Sequence, residues 1–385
     1  MSAMRVLSFT GLFPNSVRPR HGAFVARRIE HVAATGRVEA RVVAPVPWFP
    51  FRAAIFGDYA NHAAVPRRET WNGLTVDHPR YVVIPKIGMR LAPALLTRGT
   101  RRLVNSIHRE WPIDVLDAHY LFPDGVAAVR LGEELGVPVV LTARGSDANL
   151  IPERSEFARH AIVAACNDAA RVVTVSTALR DRLARLGVDE ERLVVIRNGV
   201  DRELFRAPAT RTAGPPRILS VGNLIPSKGH DLAIRALVDL PEVTLTIAGA
   251  GPAAAELARC AEVAGVGARV TFAGSVDQTR LAELYADADV LVLASEMEGL
   301  PNVVLEAMSC GTPVVATAVG GIPEAVRTPD CGVLVEERTP AAIATAVRAL
   351  LDSPRDRATV RASTESFDWA HCAARVVEVF ERAIR

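Results

Sequence analysis

A chain of 385 residues, 49% hydrophobic and 23% charged, is long enough for two globular domains and too apolar to be chiefly disordered. Its net charge of +2 hides an asymmetry: residues 1–200 carry 27 basic and 19 acidic side chains, the remainder 18 and 24. Aromatics are only 5% and the arginines are scattered, so the dense basic stripe of a nucleic-acid binder is missing and no such partner is expected.

Only Lys86 and Lys228 are lysines; every other basic residue is arginine. A position that keeps lysine against that bias points to a need for a compact ammonium instead of a planar fork. The five cysteines (Cys166, Cys260, Cys310, Cys331, Cys372) form no C-x-x-C pair, which argues against a disulfide framework and a zinc site; no metal is expected, and a reducing cytoplasm fits. No apolar run approaches the roughly 18–20 residues of a membrane span. The opening "MRVLSFTGLFP" reads as a first strand, not as a secretion signal.

In chain order, short β-branched runs alternate with amphipathic stretches, the pattern of α/β layers around parallel sheets. Strands are predicted at 4–10, 38–44, 113–119, 138–142, 171–176 and 193–196, with helices such as 22–35, 124–135 and 156–169 between them. The segment 46–89 is the least regular. Its "VPWFPFRAAIFG" sets Trp48, Phe49, Phe51, Ile55 and Phe56 beside Arg52, which suits either an acceptor or membrane-surface patch or a long loop packed on its own domain. Residues 202–216, "RELFRAPATRTAGPP", lack a period and read as a linker. A second series follows, with strands at 217–221, 243–248, 269–273, 290–294, 313–316 and 333–335 and helices at 232–240, 253–264 and 281–287. The expected organisation is an N-terminal domain over 1–201 and a second doubly wound domain over 217–365, facing a central cleft where the strands end.

Four segments carry candidate chemistry. "DVLVLASEMEGLPNVVLEAMSCGTPVVATAVGG" (289–321) reads strand, loop, helix, strand, loop, with Glu298 in the loop and Glu306 about one turn inside a helix that starts near Pro301. The amides of Gly299, Leu300 and Asn302 would form an anion site there, flanked by carboxylates suited to sugar hydroxyls. Without further context, the two glutamates are equally explained as solvated surface residues. In "SVGNLIPSKGHD" (220–231), Gly222 permits close backbone approach, Asn223 follows it, and Lys228 offers a point charge for a diphosphate. The loop 11–22 ends at Gly22 before a helix and suits either phosphate approach or a lid. His119, Arg144 and Asp147 lie at the carboxyl ends of predicted strands of the first domain, on the cleft side, His119 as a catalytic candidate and Arg144 and Asp147 as candidates for the acceptor side. Two further patterns are discounted. Gly249 and Gly251 in "IAGAGPAAA" lack the acidic partner of a dinucleotide fingerprint, and Asp287 and Asp289 sit at a helix-to-strand turn.

Together these residues resemble the retaining glycosyltransferases of family four, with the GT-B fold of two Rossmann-like domains, and "EGLPNVVLEAMSCGTPVVAT" fits that family's E-x7-E motif. The resemblance implies that Glu298 contacts the donor sugar, Glu306 the ribose, and Lys228 and Gly22 the diphosphate, with His119 near the reacting centre. It also implies that the last segment, 366–385, crosses back onto the first domain. "FPNSVRPRHGAFVARRIE" and "LTARGSDANLIP" look most similar to teichuronic-acid and exopolysaccharide transferases. Many members have Arg where this chain has Asn223 and His where it has Arg144, and an arginine does not serve as a proton donor.

The expected activity is transfer of a sugar from a UDP- or GDP-type donor to a hydroxyl of a glycan or polyprenyl-diphosphate-linked acceptor, with retention, no cofactor and no metal. Work at the inner membrane face in cell-surface polysaccharide synthesis is the expected setting. An epimerase or phosphorylase of the same fold, or a non-catalytic nucleotide- or carbohydrate-binding protein, would share these features.

Overall fold

The computed structural model describes residues 3–49, 58–84, 88–207 and 214–385, apart from the side chains of 58–60. Of the apolar and basic patch, Phe51, Arg52, Ile55 and Phe56 lie outside the described residues, as does the middle of the expected linker. The chain divides into two compact units, Met1–Arg197 with Ala370–Arg385, and Asn198–Trp369.

In the first unit the strands are β1 (Met4–Phe9), β2 (Val38–Val43), β3 (Val46–Pro47), β4 (Arg68–Trp71), β5 (Leu74–Asp77), β6 (Arg80–Tyr81), β7 (Val115–His119), β8 (Val139–Ala143), β9 (Arg171–Thr174) and β10 (Leu193–Val195). Eight of them form one sheet in the order β10-β9-β8-β7-β1-β2-β5-β4, parallel except for β4. Strands β7 and β8 are buried at every position, as a sheet covered on both faces requires. The strand order reverses between β1 and β7, so the loop after Phe9 and the end at His119 lie at the unit's switch point.

The segment read as irregular holds a hairpin. Asn72 and Gly73 both adopt positive φ, 45° and 83°, which is the turn that lets β4 return along β5. Nearby, β3 pairs in parallel with β6 as a separate two-stranded sheet. The final helix, Trp369–Ile384, buries Cys372, Ala373, Val376, Val377 and Phe380, a helical stripe whose residues belong to the first unit.

In the second unit β11 (Arg217–Val221), β12 (Thr244–Ala248), β13 (Val270–Gly274), β14 (Val290–Leu293), β15 (Val314–Thr317) and β16 (Gly332–Val335) form a fully parallel sheet. Its order is β13-β12-β11-β14-β15-β16, so direction reverses between β11 and β14. One face packs Ile218, Leu245, Ile247, Val292 and Val315 against Ile234, Leu237, Ile343 and Val347 from the covering helices. The loops leaving β11 and β14 open side by side beyond the carboxyl ends, which is where an open α/β sheet binds its ligand.

The discounted patterns have structural explanations. Asp289 accepts from the Arg217 amide at 2.8 Å and Asp287 pairs with its guanidinium at 2.5 Å, at the amino end of β11. A Cβ at Gly249 would lie 1.8 Å from the Gly222 carbonyl oxygen, so glycine there serves close packing of two loops.

Candidate active site

The loop after β11 turns at Gly222 (φ 152°) and runs through Asn223 to a short 3-10 turn, Pro226–Lys228. The loop after β14 runs from Ala294 to Pro301, the cap of the helix Asn302–Ser309. They meet through the Glu296 amide, which donates to the Ser227 carbonyl at 2.9 Å. Across this junction Lys228 Nζ donates to Glu298 Oε1 at 2.5 Å. Ser295 Oγ, fully buried, donates to the same oxygen at 2.7 Å, and its own carbonyl accepts from Thr317 Oγ1 at 2.6 Å. Glu298 is thereby oriented from below through Oε1, while Oε2 accepts from no described residue.

Glycine is required under this carboxylate. Gly320 has φ 55°, and a Cβ there would lie 2.0 Å from the Glu298 carbonyl oxygen. The amides of Gly299, Leu300 and Asn302 donate to no described group and open the helix Asn302–Ser309, whose dipole favours an anion there. Asn198 fixes this turn, donating to Asn302 Oδ1 at 2.9 Å and toward the Leu300 carbonyl at 3.4 Å. Glu306, farther along the helix, accepts from the hydroxyl of buried Tyr285 at 3.0 Å. The structure therefore joins Lys228 to Glu298, and anchors Glu306 separately through Tyr285.

In the first unit, His119 is fully buried. Arg144 Nη2 lies 2.7 Å from His119 Nδ1, and because a guanidinium can only donate, Nδ1 must accept and the proton sits on Nε2. His119 Nε2 is 3.0 Å from Asp117 Oδ2. Burial above all, with Arg144 and Arg28 nearby, pulls the His119 pKa down to about 4, so the ring is neutral at physiological pH. Burial likewise lowers Arg144 to about 9, which leaves it cationic. Burial works to raise Asp117, but His119 and the two arginines outweigh it and hold the carboxyl below its ordinary value. His119 Nε2, although close to Asp117, makes no hydrogen bond with any described residue, and the ring is fully enclosed. Asp147, read as a candidate for the acceptor side, is also fully buried and accepts from the amides of Leu121, Arg144 and Gly145 at 2.7–3.1 Å, so it pins the loop.

Gly22 caps the helix Ala23–Ala34 at φ 68°, with its missing Cβ 2.2 Å from the Leu12 carbonyl oxygen. The loop before it is closed by the Gly11 amide on Asp124 Oδ2 at 2.7 Å and by His21 Nε2 on the Gly11 carbonyl at 3.0 Å. Among the described residues no three His, Cys, Asp or Glu side chains come together as a metal site.

A pair of doubly wound parallel-sheet units, the second with a lysine, a carboxylate and a helix N-terminus at its switch point, is the architecture of GT-B glycosyltransferases. The Glycosyl transferases group 1 family matches residues 201–366 and Glycosyltransferase Family 4 matches residues 25–204. The chain is 34% identical over 315 residues to a glycogen synthase of Mycobacterium tuberculosis, covering 77% of this chain and 75% of that one. It is 36% identical over 233 residues to a D-inositol 3-phosphate glycosyltransferase of Mycobacterium bovis, covering 55% and 48%. In fold it is similar to sucrose-phosphate synthase from Thermosynechococcus elongatus, with a TM-score of 0.78 at 20% identity over 98% of both chains. Anabaena HepE, solved with UDP-glucose, gives 0.73 at 20% identity over 98% and 99%. The chain belongs to glycosyltransferase family four, and it is a glycosyltransferase.

Proposed function

We propose that this enzyme transfers a sugar from a nucleoside-diphosphate sugar, UDP- or GDP-linked, to a hydroxyl of a glycan or lipid-diphosphate-linked acceptor, with retention of anomeric configuration. The observation that carries the reading is the Lys228–Glu298 pair at the switch point of the second sheet, beside a helix N-terminus. Lys228 Nζ has three donors and gives one to Glu298, so the others suit a diphosphate; the helix amides add fixed dipoles where leaving-group charge develops. Glu298 Oε2 suits a hydroxyl of the donor sugar and Glu306 a ribose hydroxyl. Gly22 would permit close approach of backbone to the diphosphate. The sugar C1–O bond to the diphosphate breaks as a C1–O bond to the acceptor forms on the same face, and the acceptor proton passes to the departing phosphate. Charge is then neutralised by lysine and amides, with no metal in the step. HepE in complex with UDP-glucose and the glycogen synthase relative support a sugar-nucleotide donor.

The setting we propose is cell-surface polysaccharide synthesis, at the inner face of the membrane. It is supported by Trp48, Val82, Val83, Met89 and Leu91, all exposed, and by Arg90, Arg98 and Arg102, which pair with no described acid. The Trp48 amide donates to the Tyr81 carbonyl, Gly99 lets the helix Ala92–Glu110 pack against Tyr81, and Val82 lines one groove with Arg98 and Arg102, which brings these residues together on the first unit.

The donor reading is tested by thermal shift with UDP, GDP, ADP and their sugar conjugates, with EDTA present. One nucleoside diphosphate at 100 times its Kd should stabilise the protein by about 2.7 kcal/mol. Lys228→Ala should abolish that shift, and Glu298→Gln should remove most turnover while leaving the fold intact. No shift with any nucleotide, or wild-type turnover in either variant, would sink the assignment.

A further inference from the structure

The two loops that carry Lys228 and Glu298 are tied together by a side chain outside both. Arg338 lies between β16 and the helix Pro340–Asp352, 32 residues beyond Glu306, the end of the E-x7-E stretch. Its Nε donates to the Ala294 carbonyl at 2.8 Å, at the start of the Glu298 loop. Its Nη1 lies 3.2 Å from Glu296 Oε1 in the same loop, and its Nη2 reaches the Pro226 carbonyl of the Lys228 loop at 3.4 Å. A guanidinium presents donors along several directions from one rigid plane, which is what bridging two separate backbones requires.

We propose that Arg338 is a positioning residue: it spans the two switch-point loops and sets the spacing between Lys228 and Glu298, without itself touching the substrate. Resting as it does on the donor-site reading above, the inference adds what holds that site in register. The loops leave neighbouring strands, and the Glu296 amide on Ser227 is their backbone tie. Gly229, whose Cβ would lie 2.1 Å from the Ala294 carbonyl oxygen, lets the same loops approach closely. That carbonyl also accepts from Arg338 Nε, so the arginine fixes the point where the two loops touch. Loss of the guanidinium frees one loop to move relative to the other, and displacement by about 1 Å is enough to cost on the order of a hundredfold in a reaction that depends on positioning.

The experiment compares wild type with Arg338→Ala, Arg338→Lys, Glu298→Gln and the Arg338→Ala/Glu298→Gln double variant. Turnover is measured as donor consumption, and affinity by calorimetry with whichever of UDP, GDP or ADP binds the wild type. Arg338→Ala should lower turnover at least tenfold, Arg338→Lys should recover part of it, and melting temperatures should stay within about 2 °C of wild type. Because the arginine acts through Glu298 and Lys228, the double variant should be no more than about threefold worse than Glu298→Gln alone. Fully multiplicative losses in the double variant, or an Arg338→Ala enzyme with wild-type turnover, overturn the proposal. Amide hydrogen exchange supplies a readout that needs no substrate: the Glu296 amide should exchange faster in Arg338→Ala, with strand amides unchanged. Unchanged exchange at Glu296 overturns the proposal even if nucleotide binding is confirmed. Should the wild type bind none of the three nucleotides, the donor reading falls and exchange at Glu296 alone decides whether Arg338 ties the loops.

Discussion

Glu298 Oε1 takes two hydrogen bonds, one from the Lys228 ammonium and one from a hydroxyl with no exposure to solvent. The second donor decides how well the first is aimed, because Ser295 is immobilised by burial while Lys228 is a flexible stem. Ser295→Ala deletes that bond without adding volume. It should lower turnover about tenfold, following the loss of transition-state positioning, and cost about 1 kcal/mol of stability in chemical denaturation. Affinity for the nucleoside diphosphate should stay within about threefold of wild type, because the diphosphate contacts proposed for Lys228 and the helix amides remain. Equal losses in turnover and affinity would mean that Ser295 holds the whole loop and not the carboxylate. At the same scale His119 shows a limit of reading residues singly. That it ends a strand was legible; that Arg144 from the next strand would claim its Nδ1, and that the ring would be fully enclosed, depended on neighbours far apart in sequence.

At the scale of elements, the loop after β1 is held by a carboxylate from a different element. Asp124, almost fully buried, accepts from the Gly11 amide, yet burial first and the charge of Asp147 second push its pKa up to about 7. A folded pKa above the unfolded value of 3.8 means that the unfolded state ionises first, so Asp124 subtracts stability as pH rises from about 4 through about 7. His119, drawn down to about 4 from 6.5, has the opposite sign: its contribution is whole above 6.5 and is lost as pH falls toward 4. Asp124→Asn keeps an oxygen for the Gly11 amide and removes only the ionisation. The melting temperature of the variant minus that of wild type should therefore grow from pH 4.5 to pH 7.5, with the His119 contribution cancelling in the difference. A difference independent of pH would show that Asp124 titrates normally. The parallel strands were legible because buried β-branched runs mark them, and the E-x7-E segment brought its own loop and helix into view. The hairpin of β4 and β5 was missed although its Asn72-Gly73 signal was present, because an apolar run nearby dominated the segment. Tyr285, Thr317, Gly320 and Arg338 were not legible, since each acts across strands that only the sheet order brings together.

For the whole molecule, the excess of basic residues in the first 200 positions acquires a location in the structure. No described helix is long and apolar enough to cross a membrane, so any attachment through the described residues must be made by a surface. The helix Ala92–Glu110 turns Arg98 and Arg102 outward one turn apart, while Arg101 is already paired with Glu134 at 2.5 Å. Exposed Val82 lines one groove with Arg98 and Arg102, and exposed Trp48 bonds the neighbouring Tyr81, so unpaired cations sit beside side chains able to enter the interfacial region of a bilayer. Each arginine near an anionic surface contributes about 1 kcal/mol, so reversing two should weaken partition at least tenfold. The full chain should therefore sediment with vesicles containing phosphatidylglycerol at low salt and be released as salt is raised, because the attraction decays within about a Debye length. Arg98→Glu/Arg102→Glu should lose vesicle binding while keeping nucleotide-induced stabilisation, since Lys228 and Glu298 belong to the other unit. Trp48→Ala should weaken binding with little change in its salt dependence, separating the apolar contribution from the ionic one. Equal sedimentation of wild type and the double reversal would remove this face as the membrane contact and leave soluble glycans as the acceptors to be tried.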